Sequence, residues 1–113
     1  MSKGLGPMQK RILQIIWQER KSLKYSYFDR FGFFHLHNSD FIERVYDEDW
    51  INIDLIKKQR VYNSIKRLER SNWLEKRSGE TVLKIYKGNI IDDDEIQNLK
   101  TKEWVPFKRL ITC

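Results

Sequence analysis

The stretch QRVYNSIKRLERSNWLEKRSGE, residues 59–80, decides how the chain is read. It carries Arg60, Lys66, Arg67, Arg70, Lys76 and Arg77, and between them an apolar residue returns every three or four positions. On a helix turning about 100° per residue, Tyr62, Ile65 and Leu68 lie within about 100° of Val61. Gln59, Arg60, Asn63, Lys66, Arg67 and Arg70 crowd into an arc of about 120° on the opposite side. The two faces do not mix, so the spacing predicts an amphipathic helix over 56–70. A helix whose polar face only keeps it dissolved interleaves Glu with Lys at i, i+4. Here that face is cationic or amide, with Glu69 turned from its centre.

Working outward, Asn72 suits the left-handed residue that ends a helix. WLEKR and VLKIY have strand composition, and SGE with Gly79 supplies a short turn, so a hairpin is expected over 73–87. Upstream, Pro7 precedes MQKRILQIIWQER, where proline fits a first helical turn, and a helix is expected over 7–20. Met8, Ile12, Ile15 and Ile16 share one face of it. Leu13 and Trp17 form a second apolar strip that a partner subunit or the chain's own tail must cover. The aromatic stretch 22–38 ends in a short strand over 33–37. A helix over 39–47 is expected next, capped by Ser39 or Asp40, with Glu43 in capping-box spacing and Phe41, Ile42 and Val45 inward. In the tail, 92–113, IDDDEIQNLK has the acidic start of a helix. Trp104, Phe107 and Leu110 are too many large apolar groups to leave in water and are expected on the Leu13–Trp17 strip, within one chain or across a dimer.

The chain has 113 residues, enough for one domain with a modest core. With 40% hydrophobic and 34% charged residues it has the composition of a folded protein. The net charge of +6 is unevenly placed: residues 57–77 hold eight basic and two acidic groups, whereas 31–56 hold one and six. An excess as large as the whole net charge in so short a segment is the footprint of a surface that attracts phosphate. No apolar run approaches a membrane span, and the N-terminal stretch is interrupted by Gln, Lys and Arg; a cytoplasmic protein without membrane contact is expected. The single cysteine, Cys113, excludes a disulfide framework or thiolate zinc cluster within the chain. His35 and His37 lack a third ligand at a telling spacing, and Asp92, Asp93, Asp94 and Glu95 lack the glycine and alternation of a calcium loop. No phosphate-cradling glycine loop or nucleophile motif is present, so neither enzyme activity, metal nor cofactor is expected.

Helix, short strand, helix, cationic helix and hairpin follow in the order of a winged helix-turn-helix domain. RVYNSIKRLERSNWLEKRSGE resembles the recognition-helix-and-wing segment of that superfamily through Val61, Ile65 and Leu68, the KRLER ending, the pair Trp73 and Leu74, and Gly79 at the tip. VYNSIKRLERSNWLEK is similar to PadR-like and related small bacterial repressors. The likeness covers 7–20 and 39–87; Asn72 stands where family members usually carry Gly, and the connection after the first helix is longer and more aromatic. It implies an α+β fold, a three-helix core with a C-terminal two-stranded wing and an extra C-terminal tail. It places helix 56–70 in the major groove of double-stranded DNA. Gln59, Arg60, Asn63 and Ser64 then read bases, because Arg grips guanine and Gln or Asn grips adenine. Lys58, Lys66, Arg67, Lys76 and Arg77 suit phosphates, and Arg70, late on the helix, suits either. A transcriptional regulator, a repressor acting as a homodimer, is expected. The alternative is a protein-interaction winged helix or a subunit of a nucleoprotein complex, meeting its partner through the aromatic and acidic region 25–54. Single-strand or RNA binding needs open aromatic rings on a basic platform, whereas Trp73 and Tyr86 are expected to close the core.

Overall fold

The computed structural model describes residues 5–22, 26–86 and 94–112. Pro7 opens helix α1 (Pro7–Ser22), where its missing N–H costs nothing. Two short strands, β1 (Ser26–Phe28) and β2 (Phe33–His37), form a hairpin in which Gly32 takes a positive φ of 84°. Helix α2 (Asn38–Tyr46) follows β2 with no loop between them. A single 3-10 turn, Trp50–Asn52, leads to α3 (Leu55–Arg70). The hairpin β3 (Glu75–Arg77) and β4 (Glu80–Tyr86) comes next, then β5 (Glu95–Gln97), β6 (Trp104–Pro106) and α4 (Phe107–Thr112).

The fold is α+β: four helices and one antiparallel six-stranded sheet among the described residues. β4 is its axis. It pairs with β2 from Phe33↔Lys84 to His37↔Glu80, with β3 from Glu75↔Val82 to Arg77↔Glu80, and at its end with β5 through Ile85↔Ile96. β6 continues the sheet beyond β5. Three of these strands, β1, β5 and β6, are additional to the single strand and two-stranded wing expected from sequence.

One core joins the layers. Ile12, Ile15 and Ile16 of α1, Phe41 and Ile42 of α2, and Val61, Ile65 and Leu68 of α3 are buried with Phe34, Leu36, Leu83 and Ile96 of the sheet. Burying an aliphatic or aromatic side chain of this size is worth about 1.5–3 kcal/mol. The helix faces inferred from periodicity are thus the faces that meet.

Two expectations at element ends need correction. Neither Ser39 nor Asp40 caps α2; its N-cap is His37, whose side chain makes no capping bond. The direct strand-to-helix passage leaves no room for a capping box. Asn38 instead donates its backbone N–H to the Gly79 carbonyl at 3.0 Å, and its buried Oδ1 accepts from Thr81 Oγ1 at 2.7 Å. Glu43, free of the cap, accepts the Trp50 N–H at 2.8 Å and ties α2 to the turn after it. In the tail, Glu95, Ile96 and Gln97 form β5 rather than a helix start. Asp92, Asp93 and Cys113 lie outside the described residues.

The second apolar strip of α1 is covered by the chain itself. Leu13 is fully buried, and Trp17 stacks on the buried Phe107 with ring centroids 5.9 Å apart and planes 8° from parallel. Leu110 packs at the margin of the same core, while Trp104 is 41% exposed. The Asp94 carboxylate, fully buried, locks this contact by accepting from Trp17 Nε1 at 2.9 Å and pairing with Arg20. With the strip closed from within, it no longer argues for a dimer.

Candidate nucleic-acid interface

α3 is fixed at both ends by groups the sequence places there. Asp54 is its N-cap, accepting the Lys57 N–H at 2.9 Å. At the other end Asn72, with φ 67°, lets its own N–H reach the Glu69 carbonyl at 3.0 Å and the Trp73 N–H reach the Leu68 carbonyl at 3.1 Å. That pair of bonds is a Schellman closure, and Asn is among the few residues that tolerate its left-handed position. The chain passes at once into β3, and Glu69 accepts the Lys76 N–H at 3.1 Å, binding helix to hairpin. Ser78 and Gly79, at φ 45° and 83°, make the two-residue turn whose twist matches the strands.

With Val61, Ile65 and Leu68 buried, the opposite arc of α3 is solvent-exposed along its whole length: Gln59, Arg60, Asn63, Lys66, Arg67 and Arg70. Among the described residues none of Arg60, Lys66, Arg67 and Arg70 takes part in an ion pair. Gln59 Nε2 donates to Asn63 Oδ1 at 3.1 Å, one turn on. The bond orders the two amides side by side and leaves Gln59 Oε1 and Asn63 Nδ2 to meet an outside group.

The remaining residues assigned from sequence divide. Ser64 is only 8% exposed, beside Leu68 on the core side, and is withdrawn from the base-reading set. Lys58 lies off the arc with its ammonium 4.0 Å from the centroid of Trp50. Lys76 is half-buried and rests over Tyr62 at 5.3 Å. Arg77 pairs with Glu75 and lies 5.4 Å from the Phe33 ring centroid; the bond to Glu75 raises its pKa further. Its charge is therefore partly answered within the hairpin.

Sequence reasoning missed three features. Leu55 and Ile56, in the first turn of α3, are 78% and 69% exposed. Their position on the helical wheel was open to inspection, but apolar residues are ordinarily assigned inward. The second feature is His35, buried between two carboxylates: Nε2 lies 2.8 Å from Asp29 Oδ2 and Nδ1 3.3 Å from Glu80 Oε1. His37 Nε2 stands 3.8 Å from the same Glu80, and Tyr27 stacks on the His35 ring at 4.6 Å. The His35 bond, then those from the Phe33 and Phe31 amides, outweigh desolvation and hold the Asp29 pKa below its ordinary value. Among the described residues no group of His, Cys, Asp and Glu has the arrangement of a metal site. The third is an open cleft of about 520 Å³ lined by Asp40, Glu43, Arg44, Asp47, Glu48, Asp49 and Asn52. Burial raises the Asp40 pKa there. No helix of the described residues is long and apolar enough to cross a membrane.

Comparison with family models, with curated proteins and with solved structures finds no match to the chain.

Proposed function

We propose that the chain is a winged helix-turn-helix protein that binds double-stranded DNA, with α3 in the major groove and the β3–β4 hairpin against the phosphate backbone, and that it regulates transcription as a repressor. The observation that carries this reading is the α3 arc: four cations without ion-pair partners among the described residues and two ordered amides, all exposed, on a helix whose other face is anchored in the core. The succession α1, β1–β2 hairpin, α2, α3, β3, β4, with β4 between β2 and β3, supports the winged-helix assignment, β1 being an addition to its order. Arg60, Gln59 and Asn63 have the chemistry to read guanine and adenine. Lys66, Arg67, Arg70 and Lys76 position the helix on phosphates without specifying sequence.

Binding to a pool of random duplexes at two salt concentrations tests the reading, with Arg60→Glu/Arg67→Glu as control. Salt-sensitive binding with an enriched motif, lost in the control, is the expected outcome. Arg60→Ala should relax preference at one position at a cost of ~1–3 kcal/mol, whereas Lys76→Ala weakens all sequences alike. Absence of binding refutes the reading. It would transfer the weight to a protein-docking winged helix, which the acidic cleft on α2 and the turn after it favours, because carboxylates that repel phosphate suit a basic protein partner.

A further inference from the structure

Three large aliphatic side chains within six residues stand in water: Ile51 at 87%, Leu55 at 78% and Ile56 at 69% exposure. The last two belong to α3, where Ile56 shares the orientation of the cations and Leu55 borders it. Counting about 100° per residue from Val61, Ile56 falls near 220°, inside the arc of about 140–260° that holds the cationic and amide side chains, and Leu55 falls near 120°, just outside its edge. Along the axis they precede Gln59 and Arg60 by one turn, about 6 Å, which is roughly two base steps of 3.4 Å. The exposed face of α3 is therefore apolar at its first turn, amide and cationic thereafter.

From this arrangement we infer that Leu55 and Ile56 read thymine, by seating its C5-methyl group in the major groove. The inference rests on the DNA-binding reading above and names what part of the base sequence the first turn selects. Of the base edges in the major groove only thymine presents a methyl, and an apolar side chain is the group that distinguishes it. A protein partner for the pair is the competing occupant. The neighbouring arc favours DNA: a partner that covers Leu55 and Ile56 lies about one turn from Arg60, and one that continues along the helix meets Lys66, Arg67 and Arg70, none of the four having an ion-pair partner among the described residues. A duplex supplies phosphate for the cations and methyl groups for the aliphatics on one surface. The amides agree, since Gln59 and Asn63 suit adenine, whose paired thymine places its methyl in the same groove. The thymines read by Leu55 and Ile56 lie within about two base pairs of the bases facing Gln59 and Arg60.

Duplexes enriched from the random pool, resynthesised with deoxyuridine in place of thymidine, isolate the methyl group while leaving every hydrogen-bonding edge intact. The parent should lose about fourfold in affinity for each seated methyl, the fold-change equivalent to roughly 0.8 kcal/mol for one buried carbon group. Leu55→Ala/Ile56→Ala should bind thymidine and deoxyuridine duplexes equally. Both positions are too exposed for the change to unfold the protein, which thermal melting verifies. Ile51→Ala, which trims an exposed aliphatic group outside α3, should keep the parent's sensitivity. Salt-sensitive binding by the parent with no deoxyuridine effect overturns this inference alone. Equal losses in the parent and the double variant also overturn it, and failure to bind any duplex overturns both this inference and the reading beneath it.

Discussion

The salt dependence of the proposed DNA binding follows from which cations the fold leaves unanswered. Among the described residues Lys66, Arg67 and Arg70 are exposed and outside every ion pair, and Lys76 rests on the Tyr62 ring with no ion-pair partner. Arg77 is paired with Glu75, and Lys58 is held over Trp50, off the arc. If Arg60 faces a base, four phosphates are neutralised, and a plot of log affinity against log salt should fall with a slope of about −3.6. Raising salt from about 50 to 200 mM then weakens binding by on the order of 10²-fold. Lys66→Gln should flatten the slope by about 0.9, and so should Arg67→Gln or Arg70→Gln. Arg77→Gln should leave it nearly unchanged, because that guanidinium already has a carboxylate partner. Fluorescence anisotropy of a labelled duplex, titrated at several salt concentrations, reads all five slopes. A parent slope shallower than about −1, or an Arg77→Gln effect as large as that of Lys66→Gln, would refute the assignment of the phosphate-facing set.

Three further outcomes are expected. Asp94→Ala removes the partner of a guanidinium whose side chain is only 9% exposed and takes the acceptor from Trp17 Nε1, so urea-induced unfolding should report a loss of about 3–5 kcal/mol; a loss under about 1 kcal/mol would mean that the pair does not hold the tail. Gly79→Ala meets no atom within 4 Å but forces alanine to a φ of 83°, so its cost is backbone alone, about 1–2 kcal/mol, and should be absent in a d-alanine replacement made by chemical ligation. The Asp29 pKa is lower in the folded than in the unfolded chain, so Asp29 contributes stability that is present above its unfolded value of 3.8 and is lost as pH falls through the folded value. Acid titration of Asp29→Asn should therefore show a smaller loss of stability below that pH than the parent shows, and equal losses would count against a lowered Asp29 pKa.

How much was legible depended on whether a signal was local. α3 was expected over 56–70 and runs Leu55–Arg70, because four turns of one period average out any single ambiguous residue. Asn72 was expected in left-handed backbone and Gly79 in a short turn, and both are found there, at φ 67° and 83°. The strands β1, β5 and β6 are three residues each, too short to show an alternation. The acidic run before β5 misled for a different reason: Asp94 is buried by Arg20, 74 residues away, and no local pattern discloses such a partner. Ser64 misled because a small polar side chain fits either face of a helix, and only its burial beside the core decides. At the candidate interface the charged arc was readable, while the exposure of Leu55 and Ile56 was not.

Net charge is a weak guide to a binding face, since a basic chain can neutralise its cations internally. What separates this chain is where its carboxylates go. Glu19 pairs with Arg44, Asp94 with Arg20, Glu48 with Lys57 and Glu75 with Arg77. Asp29 and Glu80 enclose His35, Asp54 caps α3, and Glu43 and Glu69 accept backbone N–H groups. Each of these acids answers a need of the fold, and none lies on the arc from Gln59 to Arg70. The field of that arc is consequently not cancelled at short range by these acids, and with a Debye length of about 8 Å at physiological salt Lys66, Arg67 and Arg70, within about 6 Å of one another along the axis, act together on whatever approaches. A polyanion with phosphates at regular spacing takes most advantage of such a row, and a single acidic side chain takes least. Competition by short double-stranded oligonucleotides against an equally charged polyglutamate should therefore favour the duplex by far more than charge alone allows, and parity between the two would reduce the arc to an unspecific basic surface.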